Sequence, residues 1–236
     1  MASRRGTPAA QPNGLSPPRP VLNRSLTPEL LDSLPPECAD AAHSRRDLKL
    51  FNHVMGNPAW LRRTLPHVVK RNERVLELGA GTGEVAHSLR DLGLDWSGLD
   101  LVARPVHWPQ VWTWHQTDLR HFAQWENYPV VVANLVLHHL TDADLGDLGR
   151  QLDRHARVVL ACEPTRRRRW QWVFRGVCSL IRANHVSRHD GHVSIAAGFR
   201  GSELPALLGL SPERWAWSAT TSARGVYRLV AWRTEP

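Results

Sequence analysis

The hydrophobic rhythm of the chain changes near residue 74. Before that point apolar positions recur at helical spacing: Leu30, Leu31 and Leu34 behind Thr27-Pro28-Glu29, then Leu48, Phe51 and Met55, then Trp60, Leu61 and Leu65. This predicts three helices. The first opens with Thr27 as cap and Pro28 at the first helical position, the second runs from about 44 to Gly56-Asn57-Pro58, and the third follows it. From Arg74 onward short apolar runs alternate with helical stretches, which is the pattern of βαβ units and a parallel sheet. Strands are predicted at 74–78, 95–100, 111–115, 130–134 and 157–161, and helices near 83–92, 141–154 and 202–209. Residues 214–219 and 226–233 flank Ser222-Ala223-Arg224-Gly225 and read as two closing strands joined by a hairpin-like turn.

Ahead of the first helix, residues 1–27 hold five prolines and few large apolar side chains, too little to offset the entropy of ordering. The organisation expected is therefore a disordered tail at 1–27, a helical cap at 28–70 and an α/β domain at 71–236. An insertion at about 163–200 lies between the fifth strand and the last helix. A chain of 236 residues with 42% hydrophobic content accommodates one well-cored domain. No stretch reaches the roughly 18 apolar residues of a membrane span and no apolar leader is present, so a cytoplasmic address is expected. Cys38, Cys162 and Cys178 are widely spaced and form no CxxC pair, which argues for buried thiols and for no metal site.

The chemistry concentrates where strands end. Glu77-Leu78-Gly79-Ala80-Gly81-Thr82-Gly83 follows an apolar strand and opens a helix, so the backbone there turns tightly and approaches a ligand closely. A dinucleotide fingerprint would place glycine or alanine where Glu84 stands, and a carboxylate sits badly beside a pyrophosphate, so NAD is disfavoured. Glu77 instead suits a cationic ligand such as S-adenosyl-L-methionine (SAM), which carries an ammonium and a sulfonium and no phosphate. Asp100 closes the second strand where a carboxylate can take both ribose hydroxyls. Asp118 follows the third, in reach of an adenine amino group, and Leu101 and Leu119 flank these acids.

Together with Leu137-His138-His139 after the fourth strand, these motifs make the chain resemble the class I SAM-dependent methyltransferases over residues 75–235. The resemblance is to small bacterial members of the methyltransferase type 11/12 kind. It implies a Rossmann-like, seven-stranded, mostly parallel sheet with helices on both faces and an N-terminal helical cap. It also implies SAM as cofactor, with Glu77, Gly79 and Gly81 at the methionine half, Asp100 at the ribose, Asp118 at the adenine, Asn134 beside the sulfonium, and Ala80, Gly83, Leu101 and Leu119 as further cofactor-binding residues. Amino-methylating enzymes acting on adenine or glutamine carry Asn/Asp-Pro-Pro-aromatic after strand four. Here Asn134-Leu135-Val136-Leu137 stands in its place.

The acceptor expected is a small, apolar metabolite of phenolic, polyketide or quinone-like type, bound under the insertion; nucleic acid is disfavoured. A non-catalytic SAM-binding module and an RNA or protein methyltransferase are the competing readings. Candidate bases are His138, His139 and His189, the last in Arg188-His189-Asp190-Gly191-His192, where the dyad with Asp190 is not assured if the segment is extended. The net charge of +8 comes almost wholly from arginine. Arg166-Arg167-Arg168-Arg169 opens a helix whose apolar face carries residues 170, 173, 174, 177 and 181. Four cations there oppose the helix dipole, and peripheral contact with an anionic membrane is one expectation. The other is a solvated basic turn. Eleven tryptophans, several closely spaced, are expected to pack in the core and along edge strands.

Overall fold

The computed structural model describes residues 23–35 and 37–234. Most of the 1–27 tail expectation therefore lies outside the described residues. Seven strands, β1 (Arg74–Leu78), β2 (Asp95–Asp100), β3 (Thr113–Gln116), β4 (Val130–Asn134), β5 (Val158–Pro164), β6 (Trp215–Thr221) and β7 (Val226–Arg233), form one sheet in the order β3-β2-β1-β4-β5-β7-β6. Strands β1 to β5 pair in parallel. Only β7, inserted between β5 and β6, is antiparallel to its neighbours. The parallel run reverses its direction of winding between β1 and β4, and ligands in open α/β sheets bind at the carboxyl edge of such a switch point.

Alternate residues of the central strands feed two cores. Leu76, Leu78, Val131, Ala133, Val159 and Ala161 point to one face, where α4 (Asp142–His155) lays down Leu145, Leu148 and Leu152. A capping box of Thr141 and Asp144 starts that helix. Val75, Val130, Val132, Val158 and Leu160 point to the other face, against Leu61 and Leu65 of α2 (Asn57–Val68) and Val85 and Ala86 of α3 (Glu84–Ser88). Helix α1 (Ala39–Met55) precedes α2 across a left-handed Gly56. The 163–200 stretch folds into α5 (Arg168–Leu180) and α6 (His185–Ala197), followed by the short α7 (Glu203–Leu207). Helix α5 meets α1 through Phe51 and Phe174, with ring centroids 4.9 Å apart.

The helix expected to start at Thr27-Pro28 does not form. Residues 23–30 run as an irregular strap, with one 3-10 turn at Leu31–Ser33. Its amides and side chains are taken by distant groups: Leu30 and Leu31 donate their N–H groups to the Asp190 carboxylate at 2.7 and 3.0 Å. Arg24 donates to the carbonyls of Leu140 (2.6 Å), Ala197 (2.9 Å) and His138 (3.2 Å), and pairs with Asp142. A local capping signal worth about 1 kcal/mol loses to that many tertiary bonds.

Other boundaries move for local reasons. Helix α1 begins at Ala39, with the Cys38 sulfur accepting from Ala41 N. Strand β3 begins at Thr113 because Trp112 N is used in a turn with Pro109 O. The 83–92 helix breaks after Ser88 into a 3-10 turn, the 202–209 helix is limited to α7, and β5 and β6 run on to Pro164 and Thr221 in register with β7.

Candidate functional site

The glycine loop between β1 and α3 is fixed from three sides. Gly79, Gly81 and Gly83 all take positive φ, and Ala80 N donates to Leu99 O of β2 at 3.2 Å. A Cβ on Gly79 would sit 2.5 Å from Val136, so the loop interlocks with the turn after β4. A Cβ on Gly81 meets nothing within 4 Å, which leaves open space in front of that residue. From the third side Trp108, stacked edge-on against Trp112 and Trp114, covers Gly83 and Gly98. This part of the tryptophan set is packing, as its sequence spacing implied.

Asp100 sits across the mouth of the loop. Its Oδ2 accepts from Gly81 N at 2.7 Å and its Oδ1 from Val102 N at 3.1 Å. An ionised carboxylate offers about four acceptor positions, so two remain for hydroxyls. Leu101 beside it is exposed and presents an apolar surface. Asp118 accepts from Arg120 N and Nε at Oδ1, both at 2.9 Å, and from the same guanidinium at Oδ2 at 2.6 Å. The side-chain bond from Arg120 pulls its pKa down to about 2, so it stays ionised with an acceptor position free on Oδ2. Leu119 packs against the core rather than standing free.

Glu77 lies beneath the glycine loop. Its carboxyl is 2% exposed, accepts from Trp96 Nε1 at 3.0 Å and from the Ala86 amide, and is pushed by burial up to about 8. The Trp96 bond lowers it, but less than burial raises it. Burial thus disfavours the charged form of Glu77 in the free chain, and its hydrogen bonds brace β1, β2 and α3 beneath the loop.

The other half of the site lies at the end of β4. Asn134 Oδ1 accepts from Asn57 Nδ2 at 3.0 Å, which brings the N-terminus of α2 to the sheet edge. Asn57 is fully buried, yet its Oδ1 has no partner among the described residues. Leu135 follows with φ 59, a conformation that costs a non-glycine residue of order 1–2 kcal/mol and is commonly retained at functional sites. An open cradle at Gly81, a carboxylate with two free positions at Asp100, a second at Asp118 and an unpaired buried oxygen at Asn57 fit a nucleoside carrying a cationic amino-acid tail, as SAM does.

Beyond Leu135 the chain is held by a carboxylate that the sequence reading passed over. Glu163, fully buried at the end of β5, accepts from Val136 N (3.1 Å), Leu137 N (2.9 Å) and His138 Nδ1 (2.6 Å). The other ring nitrogen of His138 lies 3.6 Å from Glu29 of the strap. Burial alone would push this imidazole down, but the bonds from Glu163 and Glu29 prevail and raise its pKa to about 9. His138 is thus a buried cation between two carboxylates, already protonated at neutral pH, and has no capacity to act there as a base. His139, part-exposed, is pushed down by burial and by the charged His138 next to it, so its imidazole is neutral.

Glu29, His138 and His139 offer three potential metal-ligand atoms within 4.8 Å of one another. His138 already carries a proton between Glu163 and Glu29, and a metal bound at its free ring nitrogen would have to displace it.

Two further expectations change. His189 lies in helix α6, not in an extended segment, and its Nδ1 bonds the Asp190 carboxylate at 3.0 Å, so the adjacent pair does form a dyad. That same carboxylate anchors the strap through Leu30 and Leu31. Arg166 is not part of a solvated run: it is buried, bonded to Gly198 O and paired with Glu203 at 2.5 Å.

The His138 arrangement carries a prediction with a defined sign. The folded pKa lies above the unfolded value of about 6.5, so the stabilisation is complete below about 6.5 and is lost as pH rises through 9, up to about 3 kcal/mol. Thermal unfolding followed from pH 6 to 10 should show a fall in Tm that flattens in His138→Gln; an equal slope in that variant would refute the ion-pair assignment. His138→Ala, which strands two buried carboxylates, should cost about 3–5 kcal/mol.

Comparison with known proteins agrees with this geometry. Residues 46–196 match a family model described as a methyltransferase domain. Among solved structures, the plantazolicin methyltransferase BpumL in complex with SAH superposes with a TM-score of 0.66 at 12% identity, covering 87% of this chain and 93% of that one. The plantazolicin methyltransferase BamL, in complex with a triazolic desmethylPZN analog and SAH, gives 0.62 at 9% identity over 86% and 92%. No curated protein matches the sequence.

Proposed function

The chain belongs to this methyltransferase family, and on that premise we propose that it moves a methyl group from SAM to a small, apolar acceptor of phenolic, polyketide or quinone-like type. It is a SAM-dependent methyltransferase; the acceptor class and the residue roles are our reading. One observation supports the acceptor class: α6 packs on β5 and on the 137–139 turn and against α5, which meets α1 at Phe51–Phe174, so helices stand over the end of β5 where an open groove would leave it bare.

Bound SAM supplies an electrophilic methyl group with a neutral thioether as leaving group. The chain's part is then to hold and orient. Gly79 and Gly81 give the methionine portion a close backbone approach, Asp100 takes the ribose hydroxyls, Asp118 the adenine amino group, and Asn57 with Asn134 the polar groups at the end of β4. Positioning of this kind is worth up to about 7–11 kcal/mol, so a base matters only for acceptors that must lose a proton. His139, neutral and part-exposed, and His189, oriented by Asp190, are the bases we propose. His138 positions the turn that carries His139 and is assigned no proton transfer.

His189→Ala should lower turnover at least tenfold with SAM affinity unchanged, read by steady-state kinetics beside calorimetry. Unchanged turnover removes it from this assignment. A second reading keeps the chemistry and enlarges the acceptor: BpumL and BamL, alike in fold, are plantazolicin methyltransferases. Product mass spectrometry on fractions of different size separates the two readings.

A further inference from the structure

The positive charge of the chain is concentrated in one place. Residues 164–189 contain seven of its 30 lysines and arginines and none of its 22 aspartates and glutamates, so the rest is almost charge-balanced. Arg166 is spent internally on Glu203. The other six, Arg167, Arg168, Arg169, Arg175, Arg182 and Arg188, are exposed. Among the described residues, no carboxylate pairs with any of them.

Helix α5 arranges these charges around an apolar surface. Its inner side, Phe174, Val177 and Cys178, packs with Ile181, Ala183 and Phe51 of α1, which fixes the orientation of the helix. Its outer side leaves Trp172 69%, Val173 50% and Leu180 84% exposed. At 100° per residue Trp172 falls between Arg168 and Arg175 on one flank and Arg169 on the other, with Val173 and Leu180 beside Arg169. Gly176 lies within the same arc, and nothing stands within 4 Å of a Cβ there. Arg175 is stacked on Trp172 at 5.3 Å. The first turn holds no acidic residue and no side-chain cap, so the arginines at that end work against the helix dipole with no compensation from the chain itself.

We propose that the outer face of α5 is a membrane-docking surface that seats on anionic phospholipid, with Trp172, Val173 and Leu180 entering the acyl boundary and the flanking arginines on headgroup phosphates. Charge complementarity selects the occupant. A cationic helix with a tryptophan and aliphatic side chains on its solvent side matches an interfacial helix. A nucleic-acid surface would set polar or stacking aromatic side chains between its cations, whereas this face adds the aliphatic Val173 and Leu180, which have no base to read. No helix among the described residues is long and apolar enough to cross a membrane, so the contact is peripheral. Because α5 follows β5 directly, docking brings the covered edge of the sheet to the lipid surface. Docking through α5 does not depend on which acceptor is methylated, and vesicle binding needs no turnover.

Co-sedimentation of the full chain with equal-part phosphatidylcholine–phosphatidylglycerol vesicles and with pure phosphatidylcholine vesicles, across a salt series, reads the proposal. Binding is expected to the anionic vesicles at low salt, at least tenfold weaker to phosphatidylcholine. It should fall at least tenfold again in the triple variant Arg168→Glu, Arg169→Glu, Arg175→Glu. Trp172→Gln with Leu180→Gln should lose the fraction that survives raised salt. SAM affinity and Tm, measured in both variants, should match the wild-type chain and so establish that they are folded. No binding to anionic vesicles at low salt overturns the proposal. So does binding that neither variant weakens, which would assign it to arginines elsewhere. Retention on RNA in place of vesicles overturns it as well.

Discussion

Gly79→Ala is expected to abolish measurable SAM binding and to destabilise the fold by several kcal/mol. Two costs add. The residue sits at φ 62, where a side chain costs about 1–2 kcal/mol. The new Cβ also meets Val136 at 2.5 Å, an overpacking worth about 1–3 kcal/mol. Val136 cannot give way freely, because its amide and that of Leu137 are tied to the buried Glu163. Relief must come from the glycine loop, the part that has to meet the cofactor. Gly81→Ala is the matched control: its φ of 54 carries a similar backbone cost, but its Cβ points into open space. That variant should fold with a loss of about 1–2 kcal/mol and weaken SAM chiefly by occupying the cradle. Calorimetric titration beside thermal unfolding checks both, and a Gly79→Ala protein with wild-type SAM affinity would refute the interlock.

The second large effect is expected at Asp100. Asp100→Ala removes the acceptor for Gly81 N and Val102 N together with the proposed ribose contacts, and each bond to a charged group is worth about 1.5–3 kcal/mol. SAM affinity should fall at least a hundredfold, and Tm should drop by roughly 5–15 °C because the amides of Gly81 and Val102 lose their acceptor as well. The ribose assignment is separated from loop support by comparing adenosine with 2′-deoxyadenosine. The wild-type chain should prefer adenosine, and Asp100→Asn should discriminate much less. Equal discrimination in both proteins would confine Asp100 to holding the loop.

The contrast between these two residues and Glu77 explains how much of the site the sequence discloses. Gly79, Gly81 and Asp100 are legible because their parts are local: a turn after an apolar strand, and a carboxylate where the next strand ends. Strands β1, β2 and β4 read cleanly for the same reason, since parallel-core strands are short runs with sharp ends, and the antiparallel β7 does because the turn at Ser222-Ala223-Arg224-Gly225 marks its start. Glu77 belongs to the same motif, but its charge state depends on Trp96 and on burial under α3, which no local pattern carries. The strap misread as a helix is similar: Thr27-Pro28 is a sound local signal, overruled by Asp190 and His138 more than a hundred residues away. Glu163 was findable, because a glutamate closing the run Val158-Val159-Leu160-Ala161-Cys162 is costly to bury without donors. Arg166 was not, because its separation from Arg167–Arg169 depends on Glu203, which only the folded chain brings to it.

The central claim is that the chain uses SAM to methylate a small, apolar acceptor, and one measurement meets it directly. The full chain is incubated with SAM carrying a deuterated methyl group and a native-source extract, divided into organic-soluble metabolites, protein and RNA, and each fraction is read by mass spectrometry. The deuterated methyl is expected in an organic-soluble product of low mass, absent from the other two fractions and absent with Asp100→Ala. Label found only in protein or RNA, or formed undiminished by Asp100→Ala, would contradict it.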